Sequence, residues 1–124
     1  MGFAESKRQG SAGVTYHAHK LLPKGSYRLG KVIGDFQLTT VDQTFMMNVY
    51  LYFAEGVPAT AYNGGLPLKT LNVVDFTDVG FLVYSTDFEK DLGGYEVVNS
   101  PVYVYFVTSV DISYSKVSLQ YQSL

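Results

Sequence analysis

Apolar and polar residues alternate with a period of two along most of the chain, the pattern of β-strands with one buried face. The densest run is residues 101–110, where valine and phenylalanine occupy four of the five even positions and tyrosine and valine most of the odd ones. Because both sides of this segment are apolar, we predict a strand that is covered on both faces. We expect the other strands to be arranged around it.

Shorter segments with the same period are separated by residues that favour turns. We predict strands at residues 13–19, 26–33, 36–41, 44–54, 68–76, 79–85, 95–99, 101–110 and 112–121. Turns are predicted at 21–25, at Gly34-Asp35 and at 87–94, and a long loop at 55–67, because glycine, proline and acidic residues concentrate there. The apolar residues of the last segment change phase, which indicates a β-bulge near Ser115-Lys116.

Eight or nine short strands with regular turn signals favour an all-β fold, namely a single-domain antiparallel β-sandwich of jelly-roll-like topology. The sandwich is expected to span residues 13–124. Residues 1–12 are small, polar and glycine-containing, and they indicate an N-terminal arm rather than a strand.

Composition adds a reason to expect assembly. The 124 residues, enough for one domain with a real core, include 11 tyrosines but only 16% charged residues. Tyrosine offers apolar area together with one hydroxyl, so this balance indicates a surface that is partly hidden against a partner. The absence of cysteine excludes a disulfide framework. Without an apolar run long enough to span a membrane or an apolar signal segment, we expect synthesis in a cytoplasm and no membrane partner.

Charge is segregated along the chain. Residues 1–31 contain six basic residues and one acidic residue, whereas residues 32–124 contain three basic and ten acidic residues. This asymmetry predicts that the N-terminal part faces something anionic, such as the acidic body of a neighbouring copy. The acidic body argues against a nucleic-acid partner.

Two groups of side chains could bind a cation. His17 and His19 point to the same side of a strand, and their His-x-His spacing resembles that of the cupins, but the Glu and third His of that pattern are absent. We therefore predict that these histidines are polar surface or interface residues. Asp87, Glu89 and Asp91 have the alternate spacing of calcium loops but lack the glycine and glutamate of an EF-hand, which favours a solvated acidic turn.

The sequence contains no recognisable catalytic motif, and we predict neither an enzyme nor a cofactor. We predict a structural assembly subunit, a capsid, decoration or tail protein of a virion, that self-associates or docks on other protein subunits. The proposed contacts are a basic arm and a tyrosine-rich surface. The predicted interface residues are Lys7, Arg8, His17, His19 and Lys20.

A carbohydrate-binding β-sandwich module is the alternative. Aromatic rings stack on sugars as well as on partner proteins. The residues that would form such a ligand or partner site are Tyr50, Tyr52 and Tyr62, near the 55–67 loop.

Overall fold

The protein is an all-β chain with a six-stranded antiparallel sheet. The computed structural model describes residues 2–11, 13–40, 45–58, 66–73 and 82–124. The strands are β1 (Gly2–Gln9), β2 (Tyr16–Thr40), β3 (Phe45–Tyr52), β4 (Leu66–Val73), β5 (Leu82–Thr108) and β6 (Asp111–Ser123). Their order in the sheet is β1-β6-β2-β5-β3-β4, so β1 and β4 are the edge strands.

The strand count is lower than predicted because two strands are very long. β2 has 25 residues and β5 has 27, and they pair with each other along almost their whole length. The predicted turns at 21–25, Gly34-Asp35 and 87–94 all lie inside these strands and are wrong. Register shifts, including two between Leu22 and Tyr27 and one at Gly30, absorb the glycines and prolines without ending the ladder.

Gly34 shows why one of these residues did not make a turn. It lies opposite Phe88 in the β2–β5 ladder, and a Cβ at this position would come within 2.3 Å of the Phe88 ring. The glycine is therefore required by the close approach of an aromatic ring in a continuous strand.

The long β2–β5 hairpin is folded over on itself. Phe106 of β5 pairs with His17, and Phe36 lies 19 positions further along β2, a distance of roughly 60 Å in a straight strand. The ring centroids of Phe36 and Phe106 are nevertheless only 6.0 Å apart, and the Phe88 ring is 6.3 Å from that of Phe106. The two halves of the hairpin therefore face each other and enclose the core.

The segment predicted to be central lies at the middle of this core. Residues 101–106 are all buried, on both faces of the strand, as the sequence predicted. The phase change in β6 is also confirmed, because Gln37 pairs with Tyr114 whereas Leu38 pairs with Ile112. The extra residue is Ser113, so the bulge lies two positions before the predicted place.

The N-terminal segment forms a strand, whereas the sequence predicted an arm without strand structure. Gly2–Gln9 form strand β1, which pairs in continuous register with β6, from Gly2 opposite Tyr121 to Gln9 opposite Tyr114. The predicted strand at 68–76 is described only as far as Val73 in β4. The predicted strand at 79–85 is described from Leu82, within β5, and Tyr62 lies outside the described residues. No helix in the described part of the chain is long and apolar enough to cross a membrane.

Candidate assembly site at the β1 edge

Strand β1 is held to the domain mainly by its backbone ladder. Its side chains alternate between partly buried and exposed, and none is fully buried. The inward positions carry Gly2, Ala4 and Ser6, whereas Phe3 on the outer side is 71% exposed. A terminal edge strand that contributes so little apolar burial is the kind of element that opens at low free-energy cost.

A polar cluster lies beneath β1, where the sequence predicted surface histidines. His17 and His19 of β2 are 0% and 1% exposed, so the prediction of a polar surface is wrong. They lie instead at an internal interface between β1, β2 and β6. Ser115 of β6 lies between the two rings, with its Oγ 2.6 Å from His17 Nδ1 and 2.7 Å from His19 Nε2.

The cluster extends to β1 through one hydrogen bond. His19 Nδ1 is 2.8 Å from Ser6 Oγ, and the Arg8 guanidinium donates a 3.2 Å hydrogen bond to the backbone carbonyl of Ala18. We call the set His17, His19, Ser115 and Ser6 the latch, because it joins β1 to the folded body. Of the predicted interface residues, Arg8, His17 and His19 are thus brought together.

The proton positions in the latch follow from counting donors. If His17 Nδ1 donates to Ser115, then Ser115 donates to His19 Nε2, and His19 Nδ1 donates to Ser6. This direction leaves His17 Nε2, which has no hydrogen-bond partner among the described residues, as a bare lone pair. The reverse direction would leave a buried N–H there without an acceptor, which costs more. Both imidazoles are therefore neutral with the proton on Nδ1.

Burial keeps both histidines neutral at pH 7. It lowers the pKa of His17 from 6.5 to about 4, and the charge of Arg8 acts in the same direction. Burial likewise lowers the pKa of His19 to about 4, with His17 and then Arg8 as the smaller causes. No group of three or more potential metal ligands occurs in the part of the chain that the structure describes.

The other predicted interface residues lie on the surface. Lys7 is exposed and its Nζ is 3.7 Å from Glu5, which also lies 3.8 Å from Lys116 of β6. Lys20 is exposed, with its Nζ 6.0 Å from the centre of the Tyr103 ring.

Two basic residues of the N-terminal part form ion pairs with acidic residues of the same chain. Arg28 forms a 2.9 Å ion pair with Glu96, and Lys31 a 2.6 Å ion pair with Glu89, both across the β2–β5 ladder. Glu89, one of the carboxylates predicted to lie in an acidic turn, is therefore ion-paired with Lys31. Asp91 accepts a hydrogen bond from the backbone N–H of Gly93. The carboxylates at 87–91 are exposed to solvent, as predicted, but they belong to strand β5 and not to a turn.

Most of the tyrosine-rich surface is buried within the chain. Tyr50 and Tyr103 are each 5% exposed and Tyr105 is fully buried, whereas Tyr52 is only partly buried. The Tyr52 ring packs edge-on against the rings of Tyr103 and Tyr105, with centroids 6.0 and 6.3 Å away. The loop after β3 covers part of this cluster, because the Tyr16 hydroxyl donates a hydrogen bond to the carbonyl of Pro58.

A cavity lies at the bulge in the middle of β2. It has a volume of about 170 Å³ and opens beside Gly30, where both neighbouring ladders shift register. A Cβ on Gly30 would come within 3.1 Å of Gln120 Oε1, so the glycine keeps this space open. The lining residues are Arg28, Leu29, Gly30, Gly94, Gln120, Tyr121 and Gln122. This site could not be predicted from the sequence, because its lining residues come from three strands.

Comparison with known proteins shows similarity of chain path only. No protein-family model matches the chain, and no characterised protein matches it by sequence. Among solved structures, Eiger TNF from S. frugiperda matches with 10% identity and a TM-score of 0.49, over 94% of this chain and 90% of that chain. The Cowpea Mosaic Virus empty virus-like particle matches with 10% identity and a TM-score of 0.44, over 98% and 82%.

A third structure, Family 16 Carbohydrate Binding Module-2, matches with 11% identity and a TM-score of 0.31, over 94% of this chain and 74% of that chain. At these identities and scores the similarities identify neither a family nor an activity.

Proposed function

We propose that the protein is a structural assembly subunit of a virion, in a capsid, decoration or tail role, and that copies associate by exchanging strand β1. The observation that supports this proposal is the nature of β1 itself. It is an edge strand with no fully buried side chain, yet its Ser6 hydroxyl is hydrogen-bonded to the buried His19.

Exchange of β1 would conserve nearly all of the contacts that the strand makes. The ladder to β6 and the Ser6–His19 hydrogen bond are the same whether β1 comes from its own chain or from a second copy. The enthalpy of the two arrangements is therefore similar, and the balance depends on the link to β2 and on any new contacts between copies.

The link between β1 and β2 is short and contains two glycines. Residues 10–15 can span about 20 Å when extended. Gly13 has a φ of +87°, a conformation that residues with a side chain rarely adopt, and Gly10 is packed against the backbone of Ile112. Glycine adopts these conformations at little cost, so contacts between copies, and not release of strain in the link, would drive the exchange.

The finer architecture belongs to the same proposal. We propose that the two facing halves of the folded β2–β5 hairpin are the layers of a jelly-roll-like sandwich, a build that suits a shell or tail subunit. Assembly would also cover Phe3, whose ring is exposed on β1. Partners are then other protein subunits, and the location is the virion after synthesis in the host cytoplasm.

Removing residues 1–12 tests the role of β1. We expect light scattering to show a defined oligomer for the full chain and a smaller mass for the truncated chain, because the truncated copy has no strand to exchange. Salt should change the mass only slightly, since the latch bonds join neutral groups and the Glu5–Lys116 pair is exposed.

Single substitutions provide the matched comparison. Arg8→Ala removes a basic side chain that contacts β2, whereas Lys24→Ala removes an exposed basic side chain elsewhere on β2. Because that contact is the same within a chain and between copies, Arg8→Ala should speed the exchange of chains between oligomers and leave their size unchanged, and Lys24→Ala should change neither. A full chain that is monomeric under all conditions would contradict self-association through β1.

The cavity at Gly30 favours a second candidate function, binding of a small carbohydrate. Its lining includes Arg28, which is ion-paired with Glu96, and the two glutamines Gln120 and Gln122, residue types that can hydrogen-bond to sugar hydroxyls. This location differs from the predicted site at Tyr50, whose ring is buried.

Calorimetric titration with glucose, galactose and mannose tests this candidate. If one of them binds in the cavity, Arg28→Ala should weaken binding by about tenfold or more, the effect of losing a charged hydrogen-bonding group. Tyr52→Ala, in the tyrosine cluster, is the control and should have no effect. Binding that is lost in Tyr52→Ala but not in Arg28→Ala would place the sugar on the tyrosine cluster instead.

A further inference from the structure

The latch is a buried chain of hydrogen bonds that joins two neutral histidines and two serines beneath β1. Each imidazole can gain a charge when the pH becomes mildly acidic. We propose that the latch is an acid-sensitive switch that opens β1 and so sets how fast the strand can exchange between copies. This inference rests on the proposed strand exchange and specifies how that exchange is regulated.

The geometry of the hydrogen bonds explains why a proton would break the latch. His19 Nε2 accepts from Ser115 and His19 Nδ1 donates to Ser6, so His19 cannot take a proton without losing the bond from Ser115. His17 Nε2 can accept a proton, but the result is a buried N–H and a positive charge with no hydrogen-bond acceptor among the described residues. Either protonation leaves an unpaired group beneath β1.

The surroundings offer no compensation for the new charge. From β1, the group that faces the rings is the Arg8 guanidinium, which repels an imidazolium. From β5, the ring of Phe106 packs edge-on against His19 with centroids 5.6 Å apart, and from β6 the contact is Ser115. Within β2, the two histidine rings are 6.2 Å apart and would repel each other if both were protonated. None of the described carboxylates hydrogen-bonds to either ring.

Release of β1 removes both the unpaired buried group and the uncompensated charge. The strand takes Arg8 and Ser6 away, which opens the site to water and lets the histidines titrate near their ordinary pKa of 6.5. Because the pKa is lower when β1 is bound, the bound form is fully favoured above pH 6.5 and loses that advantage as the pH falls toward 4. For one histidine, the opening constant should rise on the order of 10- to 100-fold between pH 7 and pH 4.5.

Amide hydrogen exchange on the full chain measures this opening directly. Protection factors of residues 2–9, corrected for the pH dependence of intrinsic exchange, should fall on the order of 10- to 100-fold from pH 7 to pH 4.5. Residues 101–106 of β5 in the same molecule serve as the internal reference and should change much less. Equal protection of β1 at the two pH values would overturn the proposal.

Three variants separate the latch from other titrating groups. His19→Gln keeps a polar side chain that does not titrate, and the pH dependence of β1 protection should become shallower. Ser115→Ala leaves both histidines but removes the hydroxyl that donates to His19, so protection of β1 should already be lower at pH 7 and should depend less on pH. Glu5→Gln removes the exposed carboxylate of β1 and should behave as the unmodified chain does. A pH dependence that disappears in Glu5→Gln would assign it to the surface ion pairs and overturn the switch.

These measurements do not depend on the assembly state. A monomer whose β1 opens at acidic pH would retain the switch while refuting strand exchange. An oligomer that needs β1 but shows no change in protection with pH would retain strand exchange while refuting the switch.

Discussion

Replacing Phe106 by alanine is expected to lower the free energy of unfolding by about 3–5 kcal/mol, the usual cost of removing a buried aromatic ring. Phe106 is fully buried and contacts the rings of Phe36 and Phe88 from the opposite half of the folded hairpin. It therefore connects the two halves of the molecule, and the cavity left by alanine cannot be filled without moving both. The loss would be a large fraction of the total stability of a domain of this size.

Denaturant unfolding followed by circular dichroism measures this change. Val98→Ala is the matched control, because Val98 lies in the same strand but is 73% exposed, and its loss should change the free energy by less than about 0.5 kcal/mol. If the two variants had similar stability, the facing of the two hairpin halves across Phe106 would be refuted.

The central strand could be predicted because its signal is local. Residues 101–106 are apolar on both faces, a pattern that fits few structures other than a strand covered on both sides. The structure confirms that these residues are buried in such a strand. The phase change in β6 was visible for the same reason, since a slip in side-chain period requires an extra residue. Its displacement from Ser115 to Ser113 reflects pairing with β2, which the sequence of β6 alone does not contain.

The lengths of β2 and β5 were missed because turn residues were interpreted locally. Pro23, Gly25 and Gly34 favour turns in isolation, but a strand paired on a partner can accommodate them through bulges or where an aromatic ring needs the space. Tertiary pairing therefore overrode local preference at all three turns predicted within these strands.

Strand β1 was missed because its alternating pattern of inward and outward residues has little hydrophobic contrast. Its inward residues are glycine, alanine and serine, so the alternation with Phe3, Glu5 and Lys7 is present but has almost no hydrophobic contrast. The histidine environment was not accessible at all. The partner of His17 is Ser115, 98 positions away in the chain, and only the fold brings them together.

A cysteine cross-linking experiment tests strand exchange most directly. Lys7 of β1 and Lys116 of β6 are paired residues of the ladder, and both are accessible to solvent. Paired residues in antiparallel strands lie close enough for a disulfide. The chain has no cysteine of its own, so Lys7→Cys and Lys116→Cys can be placed on separate chains without competing reactions.

Two further experiments serve as the positive and the negative control for this measurement. A single chain that carries both cysteines should form an internal disulfide whenever β1 folds back on its own β6. The substitutions Arg28→Cys and Glu96→Cys, placed on separate chains, probe a pair that faces across the β2–β5 ladder. That ladder is not exchanged, so this pair should give no cross-linked dimer.

The decisive result is the product formed when the Lys7→Cys chain and the Lys116→Cys chain are refolded together and oxidised. Strand exchange predicts a disulfide-linked dimer that contains one chain of each kind, in a yield well above that of the Arg28→Cys and Glu96→Cys control. If the mixed dimer does not form, while the chain with both cysteines closes its internal disulfide completely, β1 belongs only to its own chain and strand exchange is wrong.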